Sequence, residues 1–150
     1  MAFVFRLNQL LQIAIHEENE VKDRLARKDG QIAELAEKIK KYQDDQESAL
    51  IQQQQDLLAG NLSKVQMYPA YLKVLKKSEI FYSDEMELQQ KQRQKIFEEL
   101  QEKQRKRKTF EKLREVDEAK YKKEMIKKEQ KLLDEYSSRR RNTLMEPDDA

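Results

Sequence analysis

The chain has 150 residues, of which 40% are charged and 37% hydrophobic, and its formal net charge is only +2. Two glycines and two prolines leave too few turn-forming residues for a sandwich, a barrel or an alternating βα fold. The absence of cysteine excludes a disulfide scaffold, a thiolate metal site and a cysteine nucleophile.

The first fifteen residues are apolar at many positions, but Arg6, Asn8, Gln9 and Gln12 interrupt them. No basic region precedes this stretch and no small-residue cleavage site follows it, so we expect no signal peptide. The stretch is also shorter than the ~20 apolar residues that a membrane-spanning helix needs. We therefore expect any membrane association to be peripheral or to occur only through partners.

From Leu7 onward, apolar residues recur at alternating steps of four and three, which is the spacing of a coiled-coil seam. The polar residues on the seam have long side chains, whose stems can lie along an apolar surface. We predict one helix over about 4–58. Its seam positions are Leu7, Leu11, Ala14, Glu18, Val21, Leu25, Lys28, Ile32, Leu35, Ile39, Tyr42, Gln46, Ala49 and Gln53.

The only cluster of helix breakers near the middle of the chain predicts a hinge over about 59–68. Gly60 suits the C-terminal cap of the first helix, because glycine adopts the left-handed conformation without steric cost. Pro69 suits the first turn of a second helix over about 69–137. Residues 138–150 lose the helical pattern, and we predict a disordered tail there.

In the second helix, apolar residues are often eleven apart, as are Tyr71 and Tyr82, or Leu75 and Met86. Eleven-residue spacing predicts weaker supercoiling than a heptad repeat. On this reading the seam contains Tyr71, Leu75, either Ser78 or Glu79, and Tyr82. The stretch 68–82 is rich in aromatic residues, and partner binding there and simple packing against the first helix both remain open.

A short linker between two long helices predicts an all-α fold, a long antiparallel two-helix coiled coil or α-hairpin, as a single domain over 1–150. The second helix is longer than the first, so about 121–137 would project beyond the first helix. The chain ends would then leave apolar side chains for a partner. These residues are Phe3, Phe5, Tyr121, Met125, Ile126, Leu132, Leu133 and Tyr136.

Chemistry-bearing motifs are sparse. His16 is the only histidine, and the sequence around it lacks the second histidine of a zincin motif, so we expect no metal site. There is no Gly-rich phosphate loop and no nucleophile elbow, so we expect no enzyme activity, no cofactor and no small-molecule substrate. The basic runs at 105–108 and 139–141 are flanked by acidic residues, which favours a solvated face or a docking patch for an acidic protein over nucleic-acid binding.

The opening Phe3-x-Phe5-x-Leu7-x-x-Leu10-Leu11, the long helix, the hinge and the Tyr-rich stretch after it resemble the flagellar FliJ family. This family is the coiled-coil component of the bacterial flagellar type III export apparatus. The resemblance implies a fold like the central stalk of rotary ATPases. It also implies a role in bacterial flagellum biogenesis and protein export, and hence in motility and chemotaxis.

The resemblance implies three partners: the flagellar export ATPase ring, the export gate membrane protein and export chaperones. The ring contact would lie at the open end, with Phe3, Phe5 and the segment 121–137. The gate contact would fall early in the second helix, on Tyr71, Leu75, Ser78 and Tyr82, where some members have histidine in place of Tyr82. The implied location is the cytoplasm, peripheral at the cytoplasmic face of the cell membrane.

Two other functions are compatible with a charged α-hairpin. One is a prefoldin-like holdase chaperone or a general coiled-coil tether, although the hinge lacks the β-branched alternation of prefoldin hairpins. The other, which ranks third, is a nucleic-acid-binding coil.

Overall fold

The computed structural model describes residues 2–145, with side chains described as far as residue 143. Three helices follow one another: α1 over Asn8–Leu58, α2 over Leu62–Val65 and α3 over Tyr68–Met145. No strand occurs in this part of the chain. The predicted all-α class and the two-helix hairpin of coiled-coil type are confirmed.

The predicted seam of α1 matches the structure at every position. All fourteen seam residues, from Leu7 to Gln53, are buried or half-buried, whereas most of the residues between them are exposed. The helix begins at Asn8, so the prediction of a start near residue 4 is wrong. The residues before it form a turn, in which the Asn8 amide donates to the Phe5 carbonyl at 3.1 Å, and the Phe5 side chain is buried.

The described chain divides into two compact units, and each draws on both long helices. Among the described residues, one unit consists of 17–103 and the other of 2–16 with 104–145. The prediction of a single coiled-coil domain stays a prediction.

In the unit of residues 17–103, α1 and α3 run antiparallel. Contacts from positions 17 to 56 of α1 reach positions 103 down to 68 of α3, in reverse order. The pairs include Lys103 with Glu17 at 3.2 Å, Arg24 with Glu99 at 2.6 Å, Arg93 with Asp29, Gln46 with Glu79 at 2.6 Å, and Tyr68 with Asp56 at 2.7 Å.

The α3 side of this seam has heptad spacing, so the predicted eleven-residue spacing is wrong for residues 68–103. Glu79, Gln89 and Arg93 occupy seam positions because each hydrogen-bonds to a polar side chain of α1. The seam residues are Tyr68, Leu72, Leu75, Glu79, Tyr82, Met86, Gln89, Arg93, Ile96, Leu100 and Lys103.

The hinge comprises residues 59–67, close to the predicted 59–68. Gly60 has φ +78°, and the Asn61 amide donates to the Asp56 carbonyl at 2.9 Å while the Gly60 amide donates to Leu57 at 3.2 Å. These two bonds form a Schellman cap. Pro69 is the second residue of α3, in the first turn, where proline costs no helical hydrogen bond.

The other unit pairs the chain start with α3. Phe5, Leu11 and Ala14 are buried, and the rings of Phe3 and Tyr121 lie 5.6 Å apart. Met125 is half-buried, and every described side chain from 126 to 143 is exposed.

The C-terminal part of α3 continues farther than predicted, since the helix ends at Met145 and not near 137. The prediction of a disordered tail is therefore wrong for 138–145. Residues 137–145 contain neither glycine nor proline, and arginine is a good helix former. Thr143 Oγ1 also donates to the Arg139 carbonyl at 2.9 Å, within the helix. The rest of the predicted tail, 146–150, lies outside the described residues.

Candidate partner-binding surfaces

The four residues expected to bind the export gate do not share one environment. Tyr71 is 49% exposed, whereas Leu75 is only 5% exposed and lies in the seam. Ser78 and Tyr82 are half-buried. The structure therefore places Leu75 and Tyr82 in the seam, whereas Tyr71 faces solvent and the half-buried Ser78 lies seven residues beyond it on the same row.

Tyr82 is held by aromatic and cationic contacts. Its ring stacks on that of Tyr42, with centroids 5.6 Å apart and planes 15° apart. The Lys38 ammonium lies 5.3 Å from the Tyr82 centroid, within the range of a cation–π interaction. Phe81 adds an edge-on contact at 5.3 Å. Tyr82 thus joins the two helices, and its ring has little freedom to dock elsewhere.

Tyr71 belongs to a row of exposed apolar side chains that we call the outer stripe. The row begins at Met67, the last residue of the hinge, and continues along α3 in steps of four, three, seven and seven. Its members are Met67, Tyr71, Val74, Phe81 and Leu88, of which Phe81 is 65% and Met67 74% exposed. Side chains at this spacing lie on one face of a helix. An apolar row of this length on a solvent-facing side is a candidate docking surface.

Hydrogen bonds to Asp56 stabilise the hinge, which lies next to the outer stripe. The Tyr68 hydroxyl donates to Asp56 Oδ2 at 2.7 Å, and Gln52 Nε2 donates to Oδ1 at 3.4 Å. The Tyr68 hydrogen bond is the main cause of the lowered pKa of Asp56, with smaller contributions from Gln52, Lys64 and Asn61 and an opposing one from desolvation. The same bond raises the pKa of Tyr68. The carboxylate therefore ties α1 to the first residue of α3.

Glu79 makes a second polar connection in the seam. Gln46 donates to it at 2.6 Å, Gln43 at 3.1 Å and Lys76 at 3.3 Å. Hydrogen bonds from Gln46 and then Gln43 are the largest causes of its lowered pKa. A carboxylate with this many donors stays ionised at neutral pH and keeps the register of α3 against α1.

The residues expected to bind the ATPase ring fall into two groups. Phe3, Phe5, Tyr121 and Met125 are buried or half-buried. Leu132 and Tyr136, by contrast, are each 65% exposed. Ile126 and Leu133 are also exposed on the same stretch of α3. The side chains of the first group pack within the unit that contains the chain start. Those of the second group leave apolar surface exposed to solvent.

Val74 and Phe81 of the outer stripe were not among the residues expected to bind a partner. Both are strongly exposed, and Phe81 is seven residues beyond Val74. The sequence contained a signal for them, because Met67, Val74, Phe81 and Leu88 recur every seven residues.

Within the described residues, no group of three or more metal-ligating side chains is close enough to hold an ion. A search of the same residues finds no helix with the length and hydropathy of a membrane span.

A two-helix coiled coil with separate rows of exposed apolar residues belongs to the class of helical proteins that act by docking to other proteins. The model of the FliJ family, described as flagellar FliJ protein, matches residues 3–143. The chain belongs to the FliJ family. A search of curated proteins and a search of solved structures each found no match.

Membership of this family makes the chain a component of the flagellar export apparatus, with a part in flagellum biogenesis and protein export. It implies association with the flagellar export machinery. The family is a non-catalytic component of that machinery.

Proposed function

We propose that this chain couples the export ATPase ring to the membrane export gate and escorts export chaperones, without catalysing a reaction itself. It would act at the cytoplasmic face of the membrane, as a peripheral component of a type III export system. The observation that carries the proposal is the presence of exposed apolar rows in both compact units of a family member.

The gate would bind through Tyr71 and Ser78, which lie seven residues apart on one row of α3, with Leu75 and Tyr82 supporting them from the seam. The exposure of Tyr71 supports this assignment, since a half-exposed ring can gain burial on docking. Leu75 and Tyr82 have already buried much of their surface against α1. Their contribution would be to hold the helix face that presents Tyr71.

The ATPase ring would bind through Leu132 and Tyr136 on the exposed end of α3. Both side chains are well exposed, and burying each on docking would remove apolar surface from water. Phe3, Phe5, Tyr121 and Met125 would support the contact by holding the chain start against α3. The ring of Phe3 against that of Tyr121 is part of this support.

Two matched tyrosine variants test the proposal. Tyr71→Ala should weaken binding of the purified gate domain by about tenfold or more, because an exposed tyrosine in an interface is a common hot spot. It should leave stimulation of the export ATPase unchanged. Tyr136→Ala should show the reverse pattern. Swimming should fall with both variants.

Each tyrosine variant is the control for the other, since both remove the same side chain from an exposed helical position. Loss of both interactions in both variants would indicate a general structural defect. Normal gate binding by Tyr71→Ala, with intact helicity, would refute the gate surface. Normal ATPase stimulation by Tyr136→Ala combined with Leu132→Ala would refute the ring surface.

A further inference from the structure

The outer stripe has the spacing of a coiled-coil seam. The stripe residues Tyr71, Val74, Phe81 and Leu88, with the half-buried Ser78 and Glu85 between them, follow alternating steps of three and four along α3. From Tyr71 to Leu88 this row is roughly 27 Å long. Because side chains at this spacing fit between those of a facing helix, the shape of the stripe favours a helical occupant.

The charges beside the stripe are divided between its two halves. Lys73, Lys77, Asp84 and Glu87 are all exposed and lie on the row directly next to the stripe. The two lysines come first and the two acidic residues last. Glu87 is paired with Lys91 at 3.7 Å, but both side chains are about 70% exposed, so this pair is weak and readily exchanged.

This division of charge allows two copies of α3 to pair favourably only if the two helices run antiparallel. If a second α3 lies antiparallel, with a two-fold axis near residue 80, then Lys73 faces Glu87 of the other copy, and Lys77 comes within one residue of Asp84. Tyr71 lies beside Leu88, and Phe81 lies beside its own counterpart. In a parallel arrangement each lysine would face a lysine and each carboxylate a carboxylate, which is unfavourable.

We propose that the outer stripe is a self-association surface, through which two copies of this chain pair antiparallel by their α3 helices. The apolar row supplies the buried area, and the flanking charges select the orientation and the partner. The surface is isologous, as expected for a closed two-fold dimer. It goes beyond the proposed coupling role, and its test needs only the full chain.

Charge reversal tests the orientation. Lys73→Glu with Lys77→Glu makes the whole edge acidic, and Asp84→Lys with Glu87→Lys makes it basic. Each double variant alone should dimerise at least ~tenfold more weakly than the native chain in sedimentation equilibrium, because four attractive pairs per dimer become repulsive. An equimolar mixture of the two should dimerise at least as tightly as the native chain. The control, Lys40→Glu with Lys41→Glu on α1, should not change the dissociation constant.

Single cysteines provide an independent test, since the chain has no native cysteine. Phe81→Cys lies near the proposed axis and should form an intermolecular disulfide under mild oxidation. Met67→Cys should not, because in the antiparallel arrangement it faces the far end of the stripe. Cross-linking at Met67 as well as at Phe81 would indicate a parallel pairing and overturn the proposed orientation.

Two outcomes would refute self-association through the stripe. One is a native chain that stays monomeric at all concentrations up to about millimolar, where even weak association is detectable. The other is a dimer whose dissociation constant does not respond to charge reversal or to its rescue by mixing. Neither outcome would affect the gate and ring assignments, because those are tested by binding of the gate domain and by stimulation of the export ATPase. Conversely, loss of gate binding by Tyr71→Ala would leave the charge-reversal result intact.

Discussion

Leu75 and Tyr71 are one helical turn apart, yet their truncation should affect stability very differently. Leu75 is only 5% exposed, so Leu75→Ala removes a buried side chain and leaves a cavity in the seam. Such substitutions cost about 2–5 kcal/mol, and the lower half of that range is expected in a two-helix seam, which can relax toward the cavity. Tyr71 is 49% exposed, and Tyr71→Ala should cost about 1 kcal/mol or less.

The difference is measurable by thermal unfolding followed by circular dichroism. For a chain of this size about 1 kcal/mol corresponds to roughly 2–4 °C in Tm, so Leu75→Ala should lower Tm by roughly 4–12 °C. Tyr71→Ala should lower it by no more than about 4 °C. Equal decreases in the two variants would refute the assignment of Leu75 to the seam and Tyr71 to the outer face.

Three further predictions concern the hinge and α1. Gly60→Ala should destabilise the chain by about 1–2 kcal/mol in urea unfolding, because φ at this position is +78° and alanine is strained there; an unchanged midpoint would contradict the cap. Gly30→Ala should raise stability by up to about 1 kcal/mol, because Gly30 lies in mid-helix and an added methyl group would meet no side chain within 4 Å; a loss of stability would contradict this. The pKa of Asp56 is lowered from 3.8 in the folded chain, so its stabilising contribution should be present above pH 3.8 and disappear as the pH falls through the folded-state pKa. In Tm measurements across this acid range, Asp56→Asn should reduce the pH dependence, and an identical dependence in both chains would count against the Tyr68 connection.

The α1 side of the coil was readable from sequence because its seam is mostly apolar. Alternating steps from Leu7 to Gln53 identified residues that are all buried or half-buried in the structure. The hinge was predictable for a different reason: among residues 2–145, only Gly60 has a positive φ, which glycine adopts without steric cost. In both cases a local property of the residue type determines the structure.

The α3 side was misread because apolar residues also line its exposed face, so that Tyr71 competes with Tyr68 and Leu72 for the seam. The sequence left Ser78 and Glu79 as alternatives for one seam position. The hydrogen bonds that Gln43 and Gln46 of α1 donate to Glu79 place Glu79 there. With Tyr71 in the seam instead of Tyr68 and Leu72, the predicted register was shifted around the helix.

The corrected register changes what partner binding requires of the coil. Each position of the outer stripe comes directly before a position of the seam, as Val74 comes before Leu75. The two rows therefore lie about 100° apart around α3. If the gate-binding residues were all in the seam, a partner would have to separate α3 from α1 and break the contacts of Glu79 and Tyr82. With Tyr71 and the outer stripe exposed, a partner can dock while the seam stays closed. Docking should therefore leave the Tyr42–Tyr82 stack intact, so Tyr82 should contribute nothing to the change in tyrosine fluorescence when the gate binds. A Tyr82→Phe variant should then show the same fluorescence change on gate binding as the native chain.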